Sequence, residues 1–298
     1  MRLVFHNPEH RKNVEGIRMM CASRGIDLEF TRDDSRILRA DYDILVMNTK
    51  FIDPDTIPAN VKIIFGPQHW VYPSGPLMGP HHPEWSKRCA FNILSDWVGE
   101  WYQEYGGEMR IPKIKFPYAV DIDRFRPLEG AEKTFDCLVY CKARHPSIYE
   151  AAGAYLSSHG FSYRVFKYGS YTENEYIAAL QTCKFVLVLD AHESQGFAVQ
   201  EAMSCNVPMI VYSATSMYDE YNDGRFSYEH LRPRKALATT VPYWSDKCGV
   251  QISDLSELST AIPEILTPGK YNPREFILET LSAGPCMDRI LSWATRVE

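Results

Sequence analysis

Short apolar runs alternate along most of the chain with segments in which apolar residues recur every three or four positions. The runs have the length and composition of buried strands, and they are Arg2–His6, Leu28–Thr31, Ile44–Asn48, Val61–Phe65, Phe91–Ser95, Lys113–Phe116, Phe135–Tyr140, Ser162–Tyr168, Lys184–Leu189, Pro208–Tyr212 and Val250–Ile252. The periodic segments predict helices over Glu9–Arg24, Asp96–Tyr105, Ser147–His159, Glu173–Cys183 and Gly196–Cys205. This alternation predicts parallel sheets with crossover helices.

A proline-bounded, charged connector separates two strand–helix series. It covers Pro117–Pro127, and each half is large enough for one Rossmann-like unit. We therefore predict an α/β protein with an N-terminal Rossmann-like domain over 1–118 and a C-terminal Rossmann-like domain over 119–284. The two are expected to face each other across a cleft at the carboxyl ends of their strands. A final helix over 285–298 can pack on either half, including back on the N-terminal domain.

Composition and charge narrow the class of protein. The net charge of −6 over 298 residues argues against a nucleic-acid binder, which needs a broad cationic face. The eight cysteines form no C-x-x-C pair, so we expect reduced, mostly buried thiols rather than metal ligands or disulfides. The chain shows neither a signal-peptide core nor an apolar run of membrane-spanning length. Together these features predict a cytoplasmic protein.

One predicted strand–loop–helix unit contains two glutamates, one in its loop and one in its helix. The apolar strand Lys184–Asp190 is followed by Glu193 in a loop, by Gly196 at a helix start, and by Glu201 within that helix. A helix N-terminus favours bound phosphate, and ionised carboxylates accept paired hydrogen bonds from vicinal hydroxyls. Sugars and ribose both present such hydroxyls.

At this point the sequence resembles the retaining glycosyltransferases of the family-4 (group 1) type, which have the two-domain GT-B fold. Glu193 and Glu201 have the spacing of the family's E-x7-E signature. The run Glu201–Val211 is similar to E-A-M-A-C-G-x-P-V-I, and Pro117–Pro127 is similar to the N-G-V-D-x-x-x-F-x-P linker. The resemblance covers about 116–261. The stretch Val241–Gly249 also looks like one in glycosyltransferases of large algal DNA viruses.

The resemblance implies that the domain over 1–118 is the acceptor side and that the domain over 119–284 binds the nucleotide sugar. It also implies roles for the loop and for the helix that follows it. Glu193 would bind hydroxyls of the donor sugar, and Glu201 would bind the nucleotide ribose. The intervening donor-binding positions are Ser194, Gln195, Gly196 and Phe197, of which the last two would offer backbone N–H groups to the diphosphate. Enzymes of this type usually need no metal, so neither a metal nor a cofactor is expected.

Cations and further donor contacts are expected from other strand ends. Lys142 and Arg144 follow the first strand of the second half, but they stand closer together than the family's Arg and Lys, which leaves their individual roles open. Tyr168 and Gly169 are candidates for the nucleotide base pocket. In the first half, His69 is the candidate for contact with the transferred sugar.

These features predict transfer of a hexose, deoxyhexose or pentose from a nucleoside-diphosphate sugar to a glycan hydroxyl, with retention of anomeric configuration. The alternative from another class is a catalytically inactive subunit that binds the nucleotide sugar or the glycan. A sugar-nucleotide epimerase is disfavoured by the E-x7-E context, and a phosphorylase by the lack of a cofactor-anchoring lysine motif. A Rossmann dehydrogenase is disfavoured because no G-x-G-x-x-G follows an early strand.

Overall fold

The computed structural model describes residues 1–67, 75–221 and 236–296. The chain divides into two compact units. The first consists of Met1–Asp121 together with Leu281–Glu298, and the second consists of Ile122–Thr280.

The first unit is built on a six-stranded parallel sheet in the order β2-β1-β3-β4-β5-β6. Its strands are β1 Arg2–His6, β2 Asp27–Thr31, β3 Ile44–Met47, β4 Lys62–Phe65, β5 Cys89–Asn92 and β6 Lys113–Ile114. Every residue of β3 and of β5 is buried. Continuous apolar strands of this kind are typical of parallel sheets that are covered on both faces.

The helices of the first unit include one from the far end of the chain. They are α1 Arg11–Ser23, α2 Pro83–Ser86, α3 Asp96–Gly106 and α9 Ala283–Ala294. Arg24, which follows α1, forms a bidentate ion pair with Asp288 of α9, with nitrogen–oxygen distances of 2.7 and 2.6 Å. On the same helix, Trp293 packs edge-on against Phe116. The C-terminal helix therefore packs back on the N-terminal unit.

The fifth strand is shifted from its predicted position. The sequence predicts Phe91–Ser95, whereas the strand is observed over Cys89–Asn92. The Asn92 side chain ends the strand, because its Oδ1 accepts hydrogen bonds from the backbone N–H groups of Leu94 and Phe116. Leu94 then adopts a positive φ of 58°, which is incompatible with an extended strand.

The second unit is built on a five-stranded parallel sheet in the order β11-β10-β9-β7-β8. Its strands are β7 Phe135–Lys142, β8 Tyr163–Lys167, β9 Cys183–Asp190, β10 Met209–Tyr212 and β11 Gly249–Ile252. The chain moves from β7 outward to β8 and then returns to β9 on the other side of β7. The boundary between β7 and β9 is therefore the topological switch point of this sheet, where open α/β sheets bind their ligands.

Among its described residues, the second unit has five α-helices: the first three connect successive strands, and the last two follow β11. They are α4 Pro146–Ser158, α5 Glu173–Thr182, α6 Phe197–Ser204, α7 Leu258–Ile265 and α8 Pro273–Thr280. The last two were not predicted from the sequence. Residues of β7, β9, α4 and α7 form the buried core on one side of the sheet, and they include Val139, Leu156, Phe185, Leu187 and Ile262.

The eight cysteines are all unpaired and buried, which confirms the expectation of reduced thiols. Burial raises the pKa of several of them, that of Cys141 to about 12. Such thiols stay protonated and unreactive at neutral pH. Within the described ranges, no helix combines the length and the apolar character needed to cross a bilayer.

Candidate functional site

The carboxyl ends of β7 and β9 bring charged side chains together at the switch point of the second sheet. Lys142 ends β7 and Asp190 ends β9, and the two residues are register partners in adjacent strands. Glu193 follows three residues after Asp190. Both strands are apolar over nearly their whole length, so these charges mark the point where the buried core gives way to the ligand edge of the sheet.

An ion pair between Lys142 and Glu193 is the centre of this cluster. The Lys142 ammonium donates a short hydrogen bond to Oε1 of Glu193. It also lies 4.8 Å from the ring centroid of Tyr168, over the aromatic face. The Lys142 side chain is 25% exposed and that of Glu193 is 17% exposed. The pair is thus shielded, yet a ligand can reach it from one side.

The two partners hold each other in their charged forms. Burial alone raises the pKa of Glu193, but the neighbouring ammonium of Lys142 outweighs burial and holds that pKa below its ordinary value. Burial alone lowers the pKa of Lys142, and the Glu193 carboxylate reverses this and raises it. Glu193 is therefore a carboxylate and Lys142 an ammonium at neutral pH.

Asp190 adds a second carboxyl group next to the pair, as the register partner of Lys142. Its side chain is 0% exposed, and its Oδ1 accepts a 2.7 Å hydrogen bond from the backbone N–H of Ala191. Burial, together with the negative charge of Glu193, raises its pKa well above the ordinary value for an aspartate. No sequence signal pointed to this residue, because its position beside Lys142 appears only when β7 and β9 are paired in the sheet.

Arg144 lies inside the unit and connects three of its segments. Its side chain is 4% exposed. Nε donates to the backbone carbonyl of Asp190 at 2.9 Å, and a second nitrogen donates to the carbonyl of Tyr212 at 3.3 Å. The guanidinium also lies 3.3 Å from Oδ1 of Asp219. The cation predicted next to Lys142 is therefore engaged with protein groups on several sides.

The loop that carries Glu193 is held by the segment 236–241. The Glu193 backbone N–H donates to the carbonyl of Thr239 at 3.1 Å. The Thr240 hydroxyl donates to the carbonyls of Asp190 and Ala191 at 3.3 and 3.1 Å, and it accepts from the N–H of Ala214. These contacts fix the loop that holds the Glu193 side chain at the end of β9.

Helix α6 begins directly after this loop, at Phe197. Gly196 is the N-cap residue and has a φ of 83°, a conformation that glycine adopts without strain. A Cβ added at Gly196 would lie 3.4 Å from Cβ of Glu193, so the start of the helix lies next to this carboxylate. The backbone N–H groups of the first turn and the positive end of the helix dipole at this edge favour an anion.

Glu201 is buried within α6, with 5% exposure. Its negative charge interacts electrostatically with the side chains of Tyr171 and Tyr176. Burial raises the pKa of Tyr171 to about 12, and the negative charge of Glu201 contributes to that increase. The second glutamate of the E-x7-E spacing is thus not on a solvated helix face.

The remaining predicted donor contacts of the second unit lie around this cluster. Gln195 is buried, and its side-chain amide donates to Oε1 of Gln200 at 3.2 Å. Ser194 and Phe197 are half-buried on either side of the helix start. Tyr168 is exposed and covers Lys142, and Gly169 follows it with a φ of 79°.

His69, the predicted contact in the first half, lies outside the described residues. Among the residues that are described, no group of three or more His, Cys, Asp or Glu side chains is arranged to hold a metal ion.

Several solved structures superimpose on most of this chain at low sequence identity. A sucrose-phosphate synthase from Thermosynechococcus elongatus superimposes with a TM-score of 0.55 at 9% identity, covering 98% of each chain. A glycosyltransferase from Rickettsia africae ESF-5 gives a TM-score of 0.54 at 9% identity, covering 98% of this chain and 97% of that one. A mutant of S. aureus TarM, in complex with fondaparinux, α-GlcNAc-glycerol and UDP, gives 0.52 at 11% identity, covering 85% of this chain and 55% of that one.

These similarities and the two parallel sheets define the class of fold. The chain has the GT-B fold, which consists of two Rossmann-like domains. No protein-family model matches the sequence, and the search of curated proteins gives no match either.

Proposed function

We propose that this protein transfers a sugar from a nucleoside-diphosphate sugar to a hydroxyl group of a glycan. The observation that carries the proposal is the Lys142–Glu193 ion pair, which lies at the switch point of the second sheet and beside the N-terminus of α6. A cation, a carboxylate and a helix N-terminus at one edge provide the complementary groups for a diphosphate and for sugar hydroxyls.

In this proposal, different groups at the edge of the second sheet bind different parts of the donor. The diphosphate lies against the start of α6 at Gly196 and Phe197, where Lys142 neutralises the charge that builds up as the nucleoside diphosphate leaves. Glu193 accepts hydrogen bonds from hydroxyls of the sugar, and Glu201 accepts them from the ribose. Tyr168, which lies over Lys142, contacts the nucleotide base.

We further propose that transfer retains the anomeric configuration and is metal-independent. The bond between the anomeric carbon and the phosphate oxygen breaks, and the acceptor oxygen attacks the same face of the sugar. The acceptor's proton passes to an oxygen of the departing phosphate. Glu193 is occupied by sugar hydroxyls, and Lys142 supplies a positive charge next to the diphosphate. His69, from the first unit, is the candidate for an additional contact with the sugar.

We also propose that the protein acts in the cytoplasm and that the sugar is a hexose, a deoxyhexose or a pentose. Eight unpaired, buried cysteines are typical of a reducing compartment, which supports the cytoplasm. A hexose, a deoxyhexose or a pentose all present the vicinal hydroxyls that Glu193 requires.

A nucleotide panel followed by a turnover assay tests the proposal. We expect UDP, GDP, ADP, CMP and TDP to differ in the melting-temperature shift they produce, with one base preferred. Nucleotide sugars with that base should then release nucleoside diphosphate when incubated with the protein. A binding subunit would show the shift without turnover, and a protein that none of the five nucleotides stabilises would contradict the proposal.

A further inference from the structure

The carboxyl group of Asp190 has an unusual environment. It is completely buried, and Oδ1 accepts from the N–H of Ala191. Among the described residues, Oδ2 faces no hydrogen-bond donor. A buried carboxylate oxygen without a donor is strongly unfavourable, so the charged form of Asp190 does not fit this site.

The position of Glu193 explains why Oδ2 of Asp190 has no hydrogen-bond donor. The side chains of Asp190 and Glu193 form a carboxyl–carboxyl contact at the end of β9. Two carboxylates are both acceptors, and they form a hydrogen bond only when one of them carries a proton. Because Lys142 pairs with Glu193 and holds it ionised, the proton belongs on Asp190.

The other groups around Asp190 agree with this assignment. Within the described ranges, charged or titratable side chains from β7, from α4 and from its own loop interact with Asp190, and they include Tyr140, Cys141, Lys142, Tyr149 and Glu193. Lys142 is the one cation in this set, and its short hydrogen bond goes to Glu193. Arg144 contacts the backbone carbonyl of Asp190 through its Nε.

We propose that Asp190 is a positioning residue: as a neutral carboxylic acid, it donates its proton in a hydrogen bond to Glu193 and fixes the orientation of that carboxylate. The functional part of this inference rests on the proposed sugar transfer. When a diphosphate draws the Lys142 ammonium toward itself, Glu193 loses part of its partner. The hydrogen bond from Asp190 then keeps the Glu193 carboxylate aimed at the sugar hydroxyls.

The proton itself can be tested without any activity. Difference infrared spectroscopy at neutral pH should show the carbonyl band of a protonated carboxylic acid in the wild-type chain. The band should be missing in Asp190→Asn and present in the control Asp254→Asn, which changes an exposed aspartate. A wild-type protein without this band, or an Asp190→Asn variant that keeps it, would overturn the assignment.

The positioning role requires a second readout. In Asp190→Asn the amide can still donate to Glu193 but no longer titrates, so we expect turnover within about threefold of wild type at neutral pH. We also expect the variant to lose the alkaline decline of kcat/KM that follows deprotonation of Asp190. Asp190→Leu, which cannot donate, should lose more than about tenfold at every pH.

A purely structural role would instead reduce the turnover of Asp190→Asn equally across the pH range, or leave its alkaline decline as in wild type. Either result would overturn the positioning role. If the wild-type chain shows no turnover with any nucleotide sugar, the proposed function fails, whereas the infrared experiment still decides whether Asp190 holds a proton.

Discussion

Lys142 and Glu193 are 51 residues apart in the sequence and form an ion pair at the carboxyl edge of the second sheet. The pairing exists because β7 and β9 are adjacent in the sheet although β8 lies between them in sequence. In the proposed function these two side chains contact the two groups that are joined by the bond that breaks. Lys142 contacts the leaving diphosphate, and Glu193 contacts the sugar.

Replacing Lys142 by methionine should weaken both stability and nucleotide binding. The substitution leaves Glu193 largely buried without its cation. We expect a loss of about 2–3 kcal/mol in the free energy of unfolding, below the range for fully buried pairs because part of Lys142 is exposed. Urea unfolding measures this loss, and the thermal shift with the preferred nucleotide should largely disappear.

The double variant Lys142→Met/Glu193→Gln separates these two effects. Removing both charges should recover most of the lost stability, because no uncompensated charge remains. Nucleotide binding should not recover, since it requires the lysine. Recovery of binding in the double variant would show that Lys142 acts only by neutralising Glu193.

Gly196→Ala should disturb the start of α6 specifically. At a φ of 83° an alanine costs about 1–2 kcal/mol, and its Cβ would lie 3.4 Å from the Cβ of Glu193. Gly160→Ala is a matched control, because Gly160 has a φ of 75° and no atom within 4 Å of an added Cβ. Both variants should lose similar stability in urea unfolding.

Nucleotide affinity distinguishes these two glycine variants. We expect titration calorimetry to show about tenfold weaker nucleotide binding for Gly196→Ala, equivalent to about 1.4 kcal/mol, and no change for Gly160→Ala. Equal affinities in the two variants would argue against a phosphate site at the start of α6.

Arg144→Met tests whether this buried cation serves the fold or the ligand. The substitution removes hydrogen bonds to the carbonyls of Asp190 and Tyr212 and the ion pair with Asp219. We expect a loss of about 2–4 kcal/mol in the free energy of unfolding. A variant with wild-type stability but no nucleotide binding would instead place Arg144 on the phosphate, as the sequence suggested.

The raised pKa of Asp190 predicts a difference in the pH dependence of stability. Between the ordinary aspartate pKa of about 3.9 and the higher pKa in the folded state, the native chain holds a proton that the unfolded chain releases. The stability that Asp190 contributes is therefore fully present below the unfolded pKa and is lost as pH rises through the folded pKa. Asp190→Asn lacks this dependence.

Urea unfolding of wild type and Asp190→Asn between about pH 5 and about pH 8 measures this difference. The variant should gain stability relative to wild type as pH rises, by up to about 1.4 kcal/mol per pH unit. A difference that stays constant over this range would contradict the assignment of the proton.

Much of the fold is predictable from the sequence because buried parallel strands are short apolar runs with polar ends. Strand β1 was predicted with its observed bounds, and β9 to within one residue at each end. The prediction for β5 was shifted because the side chain of Asn92 forms the hydrogen bonds that end the strand. Helix α7 was not predicted, and it contains an internal proline, Pro263, a residue that normally argues against a helix.

The candidate site could be predicted only in part. The spacing of Glu193 and Glu201 and the glycine at 196 are local, so the sequence pointed to them directly. The role of Asp190 depends on its register with Lys142 across β7 and β9. The burial of Arg144 depends on Tyr212 and Asp219, which are 68 and 75 positions further along the chain. Relationships over such distances leave no pattern in a single sequence.

Turnover of Glu193→Gln is the most direct test of the proposed function. Nucleoside-diphosphate release and glycoside formation should be followed by mass spectrometry with the preferred donor, and Glu150→Gln, on the exposed side of α4, serves as the control. We expect Glu193→Gln to lose about 100-fold or more in kcat/KM, as when two charge-assisted hydrogen bonds of about 1.5 kcal/mol each are lost. The control should match wild type. A Glu193→Gln variant that transfers sugar as fast as the Glu150→Gln control would contradict the proposed role of this residue.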